Sequence, residues 1–507
     1  MNLIPGPMIL LIPPLLAAVV AYLVRRWALL AAIISAATAG LLAVLCFRLP
    51  LDQSAFVLGQ HVAFGRPVVV LGQTLVLDQA GKMWLAFVFG LPAVLYPFAW
   101  RISQGRSFFS FSLVILALYA LAVMLPTFAL SLLAFAIAAT LMIFILQAGQ
   151  LLSVRGAQRY LLVTLLAVPL LLAAAWLVDQ PAALAEAGNA ANAAEAGAAA
   201  VAPAAGQELA RRALLPAALG FGLLLAAFPF GTWMPALAAE APPLVSAFVF
   251  TVGQGMALYL AISFAAAHPD LAQDSTIMGV IQLAGLGMAA SGGLMAAVQR
   301  DLGRLMGYAA LADLGVLLLA LASGGSQRLE LALLHGVNRS VSITLMAAAL
   351  SIVRHRAATS RFRGLGGVAR RLPVATGGLI LGGLALGGFP LTAGFPTRWA
   401  ISRAVWNWAL PFSAEAQVPG SAAVPGQEWV WILTLVALAA CTAGVVVGVV
   451  RALNAMAAPE EHREMASQPA IASLLVALLA ALTIVLGLYP QLFLGPVSSV
   501  AQAFALF

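Results

Sequence analysis

The sequence predicts an all-α polytopic membrane protein with about 14 transmembrane helices, and three observations predict it. Of its 507 residues, 63% are hydrophobic and 8% charged, against roughly 45–50% and about 25% in an ordinary soluble domain. Apolar runs of membrane-crossing length follow one another along the chain; about 20 such residues, rising about 1.5 Å each, cross some 30 Å of hydrocarbon. Arginines gather in alternate connections between those runs, the charge asymmetry by which membrane helices are oriented. Too few charges remain to coat a water-soluble chain of this length, so the solvent must be lipid.

The runs fall near 3–23, 27–47, 83–100, 109–125, 128–147, 160–178, 213–230, 243–266, 275–297, 305–323, 329–353, 374–410, 429–452 and 469–493. The first reads as a retained helix and not a cleaved leader, because Arg25 and Arg26 follow its apolar stretch instead of preceding it. Odd-numbered connections hold Arg25 and Arg26, Arg101 and Arg106, Arg155 and Arg159, Arg300 and Arg304, then Arg354, Arg356, Arg361, Arg363, Arg370 and Arg371. The other side holds Arg48, Arg66, Lys82, Arg211, Arg212 and Arg328. Basic residues stay in the cytoplasm, so an even helix count puts both termini on the periplasmic side of a prokaryotic inner membrane.

Two connections are longer than usual. Residues 48–82 alternate apolar and polar positions around Gly and Pro and predict a small extramembrane β-hairpin. Residues 180–208 are almost all Ala, Gly, Glu, Asn and Pro and predict a mobile loop or frayed helix. Asp78, before the third run, reads as a helix N-cap. Trp27, Trp100, Trp399 and Tyr489 read as an interfacial belt. Glu240 reads as a solvated loop charge, and Arg300, Asp301 and Arg304 as anchors at the cytoplasmic edge.

Several chemistries are excluded. Net charge is +8 without a run of five like charges, so nucleic acid is not a partner. Cys46 and Cys441 both lie in apolar runs, too few for a disulfide framework, a structural zinc or an iron–sulfur cluster. No P-loop, G-x-G-x-x-G or H-E-x-x-H motif occurs, so neither metal nor cofactor is expected, and no catalytic site is visible.

Local motifs go further than hydropathy. Pro229-Phe230-Gly231-Thr232-Trp233-Met234-Pro235, followed by Ala241-Pro242-Pro243-Leu244-Val245-Ser246-Ala247, resembles the P-[FL]-H-x-W-L-P…AP-x-x-VSA signature of the antiporter-like subunits of respiratory complex I. Mrp antiporters and membrane-bound hydrogenases share that family. Gln299 to Tyr308 (QRDLGRLMGY) resembles its Q-x-D-L-K-R-L-x-A-Y. Gly364 to Gly367 with Arg371-Leu372-Pro373 resembles G-G-L…R-x-x-P, and Gly387 to Trp399 resembles G-x-P-P-x-x-G-F-x-x-K-W. The four occur in family order over residues 229–399.

The resemblance implies a fold of two inverted five-helix repeats, near 109–266 and 275–452, each with one broken helix, preceded by helices in 1–108 and followed by a C-terminal helix in 453–507. Pro229 to Pro235 and Pro390 to Pro396 interrupt apolar runs at the two implied breaks, and freed backbone groups there need a polar interior. The implied nearest relatives are the M- and N-type chains of complex I, since the sequence ends at Phe507 without the lateral helix of an L-type chain.

The resemblance also implies a mid-membrane proton relay of one Glu and several Lys, from which this sequence departs. The Glu position is Ala134 or its neighbour Phe135, the two Lys positions are Leu224 and Gly255, and the signature His is Gly231. Lys82 is the single lysine of the chain. Ionisable groups survive only in the second half: Asp313, His335, Arg339 and Arg398. His335 and Arg339 lie four residues apart on one helix face and resemble the family's H-x-x-x-K pair, while Arg398 takes the place of a Lys. Buried guanidiniums cost several kcal/mol in lipid without a counter-charge, and Asp313 is the nearest carboxylate in sequence. The implied function is a proton-translocating membrane-arm subunit of a complex I-type quinone oxidoreductase with a degenerate first half-channel, its partners being other membrane subunits, the bilayer and protons. A non-conducting structural subunit and an Mrp-like Na⁺/H⁺ antiporter subunit are the alternatives.

Overall fold

The computed structural model describes residues 3–504 apart from 52–54, 58, 59, 71, 103, 148–154, 192–201, 269–274, 324–326, 410–427 and 460–469. Long apolar stretches become helices because in hydrocarbon only internal pairing satisfies their backbone N–H and C=O groups. In order these are α1 (Gly6–Leu23), α2 (Ala28–Arg48), α3 (Gln79–Arg101), α4 (Phe108–Met124), α5 (Phe128–Leu146), α6 (Arg155–Ala191) and α7 (Ala202–Leu224). There follow α8 (Trp233–Glu240), α9 (Pro243–Ala267), α10 (Ser275–Val298), α11 (Leu302–Ala322) and α12 (Arg328–Ala357). The last are α13 (Val368–Arg371), α14 (Pro373–Leu386), α15 (Gly394–Ala409), α16 (Glu428–Ala457), α17 (Ala470–Leu488) and α18 (Leu494–Ala503). Among the described residues 11 helices are long and apolar enough to cross a membrane. Three shorter apolar helices, Phe108–Met124, Arg212–Leu224 and Pro373–Leu386, bring the apolar segments to the fourteen expected.

Two helices break where proline and glycine interrupt the apolar pattern. After α7 ends at Leu224 the chain makes a short 3₁₀ turn at Phe230–Thr232 before α8, and between α14 and α15 it is irregular from Gly387 to Ala393. Both breaks hold a non-glycine residue in left-handed backbone, Ala226 (φ 55°) and Leu391 (φ 67°), a conformation most side chains avoid.

Burial separates the helices into two kinds. In α9, α11 and α12 more than four fifths of the most apolar stretch is inside the protein, whereas in α1, α2, α6, α10, α16 and α17 less than half is. The outer helices expose more of their apolar surface, and Gln254, Asp313, His335 and Arg339 lie on the inner three. Close approach in the second half rests on small residues: a Cβ on Gly315 of α11 would come within 2.6 Å of the Ala289 amide nitrogen of α10.

The extramembrane segment after α2 holds two antiparallel strand pairs, Ala55–Val57 with Gln60–Ala63 and Val68–Val70 with Gln73–Leu75. Leu3–Pro5 adds in parallel to Gln60–Ala63, pairing Ile4 with Val62. Asp78 caps α3, its Oδ1 accepting from the Gly81 amide at 2.7 Å. The Ala-rich segment is helical up to Ala191 and again from Ala202, and residues 192–201 lie outside the described residues.

Glu240 is not a solvated loop charge. It ends α8, is half-buried, and its Oε2 accepts from the Gly156 amide at 2.7 Å, supplying the otherwise unpaired N-terminus of α6. Asp301 does more than anchor: it caps α11 by accepting from the Arg304 amide at 3.0 Å and accepts a hydrogen bond from the Ser360 hydroxyl at 2.5 Å. Arg300 and Arg304 beside it are exposed. The sequence reading did not foresee α18, which packs against α3 and α12.

Candidate functional site

The sequence scatters Asp313, His335, Arg339 and Arg398 over three helices, and the structure brings all four together. Each is at most 4% exposed. Asp313 is contributed by α11, His335 and Arg339 by successive turns of α12, and Arg398 by α15 just past the second break. Arg398 Nη2 donates to Asp313 Oδ1 at 2.8 Å. His335 Nε2 stands 3.3 Å from the same oxygen, and its Nδ1 is 2.9 Å from Thr397 Oγ1. Arg339 approaches from the other side, its Nε 4.0 Å from Asp313 Oδ2.

The break is what makes Arg398 affordable in the interior. Its guanidinium donates to the carbonyls of Leu386 (2.9 Å) and Gly387 (3.1 Å), which the end of α14 leaves unpaired, and to Thr442 Oγ1 of α16 (3.0 Å). Gly388 permits the approach: it has φ +71°, and a Cβ there would strike the Arg398 side chain.

Arg339 is held the same way on the opposite flank. Its Nη1 donates to the Phe250 carbonyl at 2.6 Å, and its Nη2 to Gln254 Oε1 at 2.8 Å and the Ala310 carbonyl at 3.2 Å. Phe250 lies in a π turn, Val249–Gly253, within α9, a distortion that often marks functional helices. Gln254 in turn donates to Met234 Sδ of α8 at 3.2 Å. A polar line therefore runs from the first broken helix through Gln254, Arg339, Asp313, His335 and Arg398 to Thr442. Gln254, Thr397 and Thr442 were not singled out as site residues, because uncharged polar side chains give no distinctive signal in an apolar helix; the π turn has none at all.

The first half differs. Leu224, Phe135, Gly253, Gln254, Tyr160 and Trp233 enclose a space of only about 10 Å³, about one water. Leu224 and Ala134 are buried apolar residues. Gly255 faces a different and larger cavity beside Gln254. Among the described residues no group of three metal-ligating side chains occurs.

The family model "NADH:quinone oxidoreductase/Mrp antiporter, TM" matches residues 113–422, more than half of the chain. The chain belongs to that family. Within it, subunit N of the NADH-quinone oxidoreductase of Desulforudis audaxviator is 30% identical over 192 residues, 37% of this chain and 38% of that protein. The alignment with this curated relative thus spans about two fifths of its length. A chain of the Mrp complex from Dietzia sp. DQ12-45-1b superposes with TM-score 0.75 at 15% identity, covering 98% of this chain and 96% of that one. A chain of the membrane-bound sulfane sulfur reductase, an archaeal respiratory membrane complex, gives 0.76 at 17%, covering 98% and 97%. At such identities the superpositions establish the polytopic helical fold that these chains share.

Proposed function

We propose that this antiporter-like subunit sits in the membrane arm of a complex I-type assembly in a prokaryotic inner membrane, termini outward, and passes protons only through its second half. The observation that supports this is the buried Asp313–His335–Arg398–Arg339 cluster beside the second helix break. A guanidinium keeps its proton, so Arg398 and Arg339 act as fixed charges with Asp313 as counter-ion. Imidazole is the side-chain type that takes up and releases a proton near neutral pH. His335 bridges Asp313 and Thr397 and is the group we assign as carrier. The apolar residues at Leu224 and Ala134, and the 10 Å³ space beside Leu224, leave the first half without a carrier of its own.

The test is proton pumping by the purified complex in vesicles, with His335→Gln and Leu224→Gln compared. His335→Gln should lower the protons moved per turnover while the complex still assembles, and Leu224→Gln should leave the ratio unchanged. An unchanged ratio in His335→Gln would make the subunit a structural filler of the arm. A pumping ratio that depends on sodium would favour the Mrp-like alternative.

A further inference from the structure

Beside the charge cluster lies a cavity of about 580 Å³ between α2, α3, α9, α11, α12 and α18. Its size falls in the roughly 300–1,000 Å³ range of small-ligand sites. The walls are almost wholly apolar, with Phe47, Phe87, Leu258, Leu317 and Val497 among them. Arg48, at the end of α2, stands exposed at one end. Arg339, Gln254, Thr251 and Ser340 form the polar inner wall.

Charge balance says what fits. Within the cluster Arg339 and Arg398 face a single carboxylate, Asp313, which is closer to Arg398 (2.8 Å) than to Arg339 (4.0 Å). A guanidinium has five N–H donors. Three of those on Arg339 are used, and its buried Nε, 4.0 Å from Asp313 Oδ2, has no hydrogen-bond partner. Of the four charged or titratable residues in the cluster, Arg339 alone lines the cavity. With His335 neutral the cluster therefore has one more positive than negative group, and Arg339 is its member in the wall of the apolar cavity. Burying an uncompensated charge is costly.

We propose that this cavity binds a long-chain carboxylate, with its head on Arg339 and its tail along the apolar walls toward Arg48. The bound carboxylate makes two negative groups against two guanidiniums. This ligand site does not depend on His335 carrying protons: with the imidazole neutral two guanidiniums already face one carboxylate, and a protonated imidazole adds to that excess.

The experiment is photolabelling of membranes holding the assembled complex with a palmitate analogue bearing a diazirine on its tail. Label is expected on cavity residues such as Leu258, Leu317 and Val337, and is competed by palmitate but not by methyl palmitate. Arg339→Gln should reduce it about tenfold, the loss of one charge-assisted contact. Val337→Trp, which fills the chamber and leaves Arg339 in place, should reduce it at least as far and serves if Arg339→Gln fails to assemble. Arg48→Gln should change it little. The proposal is overturned if methyl palmitate competes equally, if Val337→Trp labels like the native protein, or if Arg48→Gln or phosphatidylglycerol vesicles remove the label, which would place a phospholipid headgroup at the mouth.

Discussion

Replacing Asp313 by Asn keeps the shape of the side chain and removes the one carboxylate shared by His335, Arg339 and Arg398. At an effective dielectric of about 20, charge pairs at 2.8 and 4.0 Å attract by about 6 and 4 kcal/mol. Much of that is offset by desolvation, and breaking a buried pair generally costs about 3–5 kcal/mol. Arg398 keeps the carbonyls of Leu386 and Gly387 and the Thr442 hydroxyl, and Arg339 keeps those of Phe250 and Ala310. These dipoles pull the expected loss to the lower end, about 3 kcal/mol. The assay is denaturant unfolding of the purified complex for Asp313→Asn, Arg398→Gln and the double variant, followed by fluorescence. If the cluster is a charge network, the double variant should recover about 1–3 kcal/mol relative to the sum of the singles. A loss below about 0.5 kcal/mol in Asp313→Asn, or strict additivity, would refute the reasoning.

Three further outcomes are expected. Gly315→Ala places a methyl within 2.6 Å of the Ala289 amide nitrogen and 2.7 Å of the Gly285 carbonyl oxygen, and should cost about 1–3 kcal/mol by forcing α10 and α11 apart, read as a lowered melting temperature. Asp301→Ala removes the α11 cap and the Ser360 bond; it should cost about 1–2 kcal/mol and raise hydrogen exchange at residues 302–305. Glu240→Ala uncaps α6 and should speed exchange at Gly156 and Ala157 at a cost of about 1 kcal/mol, with Glu240→Gln intermediate because its amide oxygen still accepts.

Hydropathy made the helices legible, and Pro229, Pro235, Pro390 and Pro396 marked the breaks, because proline removes a backbone donor wherever it falls. Asp313 could be named as a partner for the arginines because buried guanidiniums need a counter-charge. That it serves Arg398 so closely was not legible, since the distance depends on how α11 and α15 pack around Gly388. Glu240 was misread for a related reason: capping a neighbouring helix 84 residues away is a tertiary matter that local sequence does not record. The cavity was equally silent, as absent atoms at Gly255 and Gly336 leave no pattern of their own.

The π turn at Val249–Gly253 also shapes the seat of a buried cation. Its wide winding leaves the Phe250 oxygen turned toward Arg339, so the guanidinium occupies a place that tighter winding would close. A π turn holds about one residue more than the winding it interrupts, which offsets Gln254 and the residues after it around the axis of α9 by about 100°, one residue's share of a 3.6-residue turn. The offset presents both the Phe250 carbonyl and the Gln254 amide to one guanidinium.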